Sequence, residues 1–185
     1  MPDFRAAEYG PKIAEILALA GDGHRLLGLV GGPCVSEKAR EMVRAADLAP
    51  PVQCGLFLYL SCLDEAHQIA QEIKSATGSY WHGMMHRQEP DFGNAAYWFR
   101  RVGRHEIFAA LREEAVQILP ERFGGAKWDP FGFIDACEEV HRRPDRKAER
   151  ALQEIQRAEW RLLFDYCFRR ARNEPPERPC RLWAG

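Results

Sequence analysis

Between Ser79 and Phe108 the chain reads SYWHGMMHRQEPDFGNAAYWFRRVGRHEIF. This stretch holds three of the six histidines, two of the five tryptophans, two of the four methionines and four arginines. His82, His86 and Glu89 are spaced i, i+4, i+7, so on a helix they fall within about 40° of a common direction. Two imidazoles on adjacent turns can bind one divalent metal, and a carboxylate one turn further on can complete three ligands. Such a site keeps coordination positions open for water or substrate. Iron, zinc and manganese all suit the donors, and His67 is the alternative third ligand. The zinc-protease pattern H-E-x-x-H is absent, because Gly83, Met84 and Met85 stand between the histidines.

The second half of the stretch suits an anion. Tyr97, Arg101 and Arg104 share a helical face and Arg100 flanks it. Guanidinium forks bind carboxylates and phosphates in two-pronged fashion, so a small anionic molecule is the expected ligand. Trp81, Trp98, Tyr97 and Met85 would wall the pocket. The competing reading is structural. Both histidines would bond to carboxylates or carbonyls in a packed corner, and the arginines would pair in solvent with Glu89, Asp91 or Glu106. A metal site needs imidazole nitrogens converging on one point, whereas a polar network needs a protein partner for each nitrogen.

Two further acid–histidine pairs occur, Asp64-x-x-His67 and Glu138-x-x-His141. Di-iron carboxylate bundles use two Glu-x-x-His pairs and two lone glutamates. One pair here has Asp and no lone glutamates stand out, so each acid is read as fixing its histidine ring. The glycines of GDGHRLLG follow a helix-like run, not the strand that a dinucleotide loop requires. There is no G-x-S-x-G, and no cysteine sits in a nucleophile setting.

These residues need a body to hold them. A chain of 185 residues with 46% hydrophobic and 29% charged residues suits a single soluble globular domain. The net charge of -1 calls for neither nucleic acid nor an anionic membrane. From Arg142 to Arg181 twelve basic residues face seven acids, but the acids are interleaved, which describes a salt-bridged surface. No apolar run reaches about 18 residues and the start lacks a leader pattern, so the expected location is cytoplasmic. None of the six cysteines forms C-x-x-C. Cys54, Cys62, Cys137 and Cys167 read as small buried hydrophobes, without a zinc cluster or a disulfide framework.

Helical periodicity dominates, and no alternating strand or internal repeat is present. The expected fold class is all-α, with seven or eight helices packed around a long central helix at about 52–77 that stops at Gly78. Residues 1–173 would form the domain and 174–185 a proline-rich tail. A last long helix spans about 146–172. A homodimer is compatible with this reading, although no heptad seam is visible.

The block SYWHGMMHRQEPDFGNAAYWFRRVGRH, with LDEAHQIAQEI upstream, resembles the signature of an uncharacterised family of bacteria and fungi. That signature is W-H-G-x-x-H-R-x-E-x-D-x-x-N-A-x-Y-W-x-R-R-x-G after a D-E-x-H segment. The resemblance covers Leu63 to His105. It implies no reaction, but it implies that His67, His82, His86, Glu89, Asp91, Asn94, Tyr97, Arg100 and Arg101 belong together.

Overall fold

The computed structural model describes residues 4–173, and the tail expected at 174–185 lies outside the described residues. The fold is all-α. After a 3-10 turn at Ala6–Tyr9 come α1 (Pro11–Ala18), α2 (Glu37–Arg44), α3 (Pro50–Tyr59), α4 (Leu63–Ala70) and α5 (Ala76–Gln88). Then follow α6 (Phe92–Val102), α7 (Phe108–Ile118), α8 (Pro120–Phe123), α9 (Pro130–Arg142) and α10 (Arg146–Asn173). Helix starts follow local chemistry. Ser36 Oγ accepts the Ala39 amide of α2 at 3.2 Å, Asp91 caps α6, and proline opens α1, α3 and α9.

The expected long helix at 52–77 is broken twice. At Ser61 the backbone turns left-handed (φ 61°), and the Cys62 amide bonds back to the Phe57 carbonyl at 2.9 Å. At Ser75 the side chain accepts the Gly78 amide at 3.2 Å and starts a new helix. Gly78 therefore belongs to a first turn, not to a stop. A Cβ there would lie 2.1 Å from the Ile73 carbonyl oxygen, so only glycine lets the incoming chain pass so close.

The centre is occupied by α5 instead. Every residue from Thr77 to Gln88 is buried. Gly83 makes room for the neighbouring helix, since a Cβ there would meet the Phe99 ring of α6 at 2.8 Å. Against the other side lies α10, 28 residues long, which joins two hydrophobic clusters. Leu152, Ile155 and Ala158 pack with α7 and α9, while Trp160, Leu163, Phe164 and Cys167 pack with α3 and α5. Trp160 donates its indole N–H to the Gly55 carbonyl at 2.8 Å and stacks on Tyr59 at 4.4 Å.

Cys62 departs from the expected free thiol, because the structure pairs it with Cys34 in a disulfide. The two positions are 28 residues apart in the chain and meet only through the fold, which is why spacing gave no hint. Among the described residues no helix is long and apolar enough to cross a membrane.

Arg87 of α5 is fully buried and pairs with the equally buried Glu159 of α10. Its Nε and Nη2 also donate to Gln156 Oε1 at 3.2 and 3.1 Å. Removing one partner strands a charge without water, so Arg87→Met or Glu159→Leu alone should cost about 3–5 kcal/mol. The double variant should recover most of that loss in urea unfolding. Singles near wild type would show that the pair is not the anchor of α5.

Candidate metal centre

A helix buried all round must satisfy its polar side chains on every face. On α5 the residues at stake are His82, His86 and Arg87. Arg87 points to α10, about 140° around the axis from His82, so the histidines turn to α4 and α6. There they meet His67, which is half-buried near the end of α4. One ring nitrogen from each of His67, His82 and His86 lies within 4.8 Å of the others. The ring centroids are 4.7 Å apart for His67–His82, 5.5 Å for His67–His86 and 4.9 Å for His82–His86. Ligands about 2.1 Å from one tetrahedral ion stand about 3.4 Å apart, so the three nitrogens are spread wider than a bound ion would hold them.

The surroundings favour neutral imidazole. Burial, and then the neighbouring His86 and His67, push His82 down to about 3. Burial also lowers His86, against the opposing pull of Glu89 and Asp91. Neutral imidazole is the form that binds a metal. His82 Nδ1 is buried without a protein hydrogen-bond partner. Trp98 of α6 lies almost flat on the His82 ring, at 3.9 Å and 14°, which fixes the plane of that ligand.

The expected residues divide into three groups. His67, His82 and His86 come together. Glu89 stands one step out, with Oε2 at 3.1 Å from His86 Nδ1 but without hydrogen-bond geometry, so it contributes its charge and not a fixed orientation. Asp91 caps α6 and holds Asn94 through both side-chain oxygens, at 3.1 Å to the amide and 2.7 Å to Nδ2. Of the aromatics, Trp98 borders the site. The Arg101 guanidinium lies 5.4 Å from the Trp98 ring and 5.8 Å from that of Tyr97, which is itself exposed.

Other expected members lie elsewhere. Trp81 and Met85 are fully buried in the main core, because α5 turns that face to α3 and α10. Trp81 sits against Gly55, so it does not wall the site. Arg104 leaves the shared face with Tyr97 and Arg101, because α6 ends at Val102 and Gly103 takes a positive φ of 64°. Arg100 is exposed. His105 is a buried structural residue, with Nε2 3.3 Å from Thr77 Oγ1 and Nδ1 accepting the Ile107 amide at 3.4 Å. His141 is exposed and Glu138 pairs with Arg142 at 2.5 Å, so the second acid–histidine pair takes no part. His24 belongs to a loop held by α10, its Nδ1 2.8 Å from Arg161 Nη2.

Sequence reasoning passed over Arg87, Gln156 and Glu159, which set the rotation of α5. The available signal was a glutamate and a glutamine on the inward stripe of α10, beside Leu152, Ile155 and Leu163. Lys74 was also missed. Its charge reaches His82 and adds to the lowering there.

His82 gives the metal-free protein a defined pH dependence. Its folded value lies below the ordinary histidine value near 6.5, so the unfolded chain takes up the proton first. The His82 contribution to stability is present above about 6.5 and drains away as pH falls toward 3. His82→Asn should flatten that part of the profile in urea unfolding with a chelator present. An unchanged slope would mean that His82 takes up its proton in the fold.

No protein-family model, no curated protein and no solved structure matches this chain.

Proposed function

We propose that the protein binds one divalent transition metal through His67, His82 and His86, and that a small anionic molecule occupies an open position on that ion. The observation that carries this reading is the convergence of three imidazole nitrogens within 4.8 Å, two of the histidines being buried. A hydrogen-bonded polar corner accounts for the same cluster less well. Imidazole rings stacked on one another offer few donors, and His82 Nδ1 has no protein partner. A cation satisfies the nitrogens together and uses them in their neutral form.

Three histidine ligands suit zinc, iron or manganese and leave room for exchangeable ligands. When bound, such an ion supplies Lewis acidity and a water whose proton is held less tightly. The chain's own residues supply the rest of the site. Glu89 places a negative charge beside His86, Trp98 holds His82, and Arg101, packed on Trp98, holds the anion. Half-buried His67 and Trp98 mark the side from which a ligand enters.

Elemental analysis of the untagged protein tests the proposal directly. The expected result is close to one iron, zinc or manganese per chain, lost in His82→Ala/His86→Ala with the helical circular dichroism kept. The variant His67→Gln changes a half-buried position and guards against simple unfolding. It should lower metal affinity by about 10–100-fold or more. Cobalt(II) titration gives a second readout, since nitrogen ligation produces visible absorption bands. No retained metal after anaerobic loading and desalting, together with no cobalt bands, would overturn the reading.

A further inference from the structure

A second site lies away from the histidines, in a cleft of about 740 Å³ between the start of α7 and the start of α9. That is a common volume for a small-molecule site. We propose that this cleft binds a small planar aromatic molecule carrying one negative charge. Phe108, Trp128 and Phe131 line it with rings, and Arg104, Arg112 and Lys127 line it with cations.

Three features of these residues are left unexplained by folding alone. Trp128 is only 6% exposed, yet its indole N–H is buried without a hydrogen-bond partner. A buried donor in that state calls for an acceptor, and a ligand in the cleft would supply one. Phe131 is 38% exposed at the first turn of α9, and nothing among the described residues covers it. An aromatic ring laid in the cleft would cover it and stack. Arg112 donates from Nε to the Gly125 carbonyl at 2.7 Å, which fixes the plane of the guanidinium. Among the described residues its terminal nitrogens make no hydrogen bond, so a pre-oriented fork is presented to a carboxylate.

The charge count limits the ligand. Glu113 and Asp129 also line the cleft, so three cations face two carboxylates and leave one net positive charge. Asp129 is committed as the cap of α9, accepting the Phe131 amide at 3.0 Å. A monoanion balances this environment, whereas a dianionic phosphate ester meets two nearby carboxylates. None of His67, His82 and His86 lines the cleft, so this site shares no residue with the candidate metal centre.

Calorimetric titration of the full chain with 2-naphthoate tests the proposal, with neutral 2-naphthamide and dianionic 2-naphthyl phosphate as comparisons. One-site binding of the carboxylate is expected, weaker by about tenfold for the amide and for Arg112→Gln, as loss of a charge-assisted contact implies. Phe131→Ala, a change at an exposed position, should weaken binding too, and Trp128→Phe keeps a ring while removing the donor. His67→Gln should leave binding unchanged. Thermal midpoints near that of the wild type confirm that each variant is folded. Absence of saturable binding into the millimolar range overturns the proposal. So does unchanged affinity in either Arg112→Gln or Phe131→Ala. Preference for the phosphate ester over the carboxylate overturns the charge assignment.

Discussion

The buried pairing of Arg87 with Glu159 is the constraint from which the rest of the arrangement follows. A guanidinium cannot enter a water-free interior without an opposite charge and hydrogen bonds for its five N–H groups. Glu159 supplies the charge, and Gln156, one turn earlier on α10, supplies a second acceptor. Gln156 is held in turn by donating to the carbonyls of Leu27 and Gly28, at 3.3 and 2.8 Å. The guanidinium also lies 4.4 Å from the Phe133 ring of α9. Tyr80 stands on the same face of α5, seven residues before Arg87, and burial followed by the Glu159 charge pushes its phenol well up. With Arg87 committed to α10, the rotation of α5 is fixed, and so is the direction in which His82 and His86 point.

One helix thus meets two polar demands in two ways. On the α10 side, full charges are buried and neutralise each other. On the α4 and α6 side, imidazoles are buried uncharged, because desolvation holds His82 and His86 in the neutral form. The first arrangement is complete within the chain. The second leaves two buried nitrogens, His82 Nδ1 and His86 Nδ1, without a protein hydrogen-bond partner. That asymmetry separates a structural pair from a candidate site, and it is independent of any single distance.

Close approach of the helices makes both arrangements feasible. Gly83 lets α6 come near enough for Trp98 to lie on His82, and Gly55 admits the Trp81 ring that anchors α5 on α3. The Cys34–Cys62 bridge ties the segment before α2 to the residue that starts α4, and α4 carries His67. Position and orientation of all three histidines therefore depend on packing around α5, not on the loop geometry that carries many binding sites.

Much of this protein was legible in its residues. Apolar spacing and the lack of alternating patterns specified an all-α fold, and the stripe of Leu152, Ile155, Trp160, Leu163 and Phe164 specified α10 nearly to its ends. The i, i+4 spacing of His82 and His86 placed both on one helical face, because 3.6 residues per turn is a local property. His67 could be named as a third ligand but not chosen over Glu89. The breaks at Ser61 and Ser75 turn α4 back on α5, and that reversal depends on a left-handed residue and a close chain crossing which no periodicity records. The same holds for the removal of Trp81 to the core, the departure of Arg104 beyond the end of α6, and the Cys34–Cys62 bridge. Local spacing decides which side chains share a face, because it acts over one or two turns. Only tertiary packing decides what that face meets, because Arg87 and Glu159 are 72 residues apart and their pairing sets the rotation of the helix.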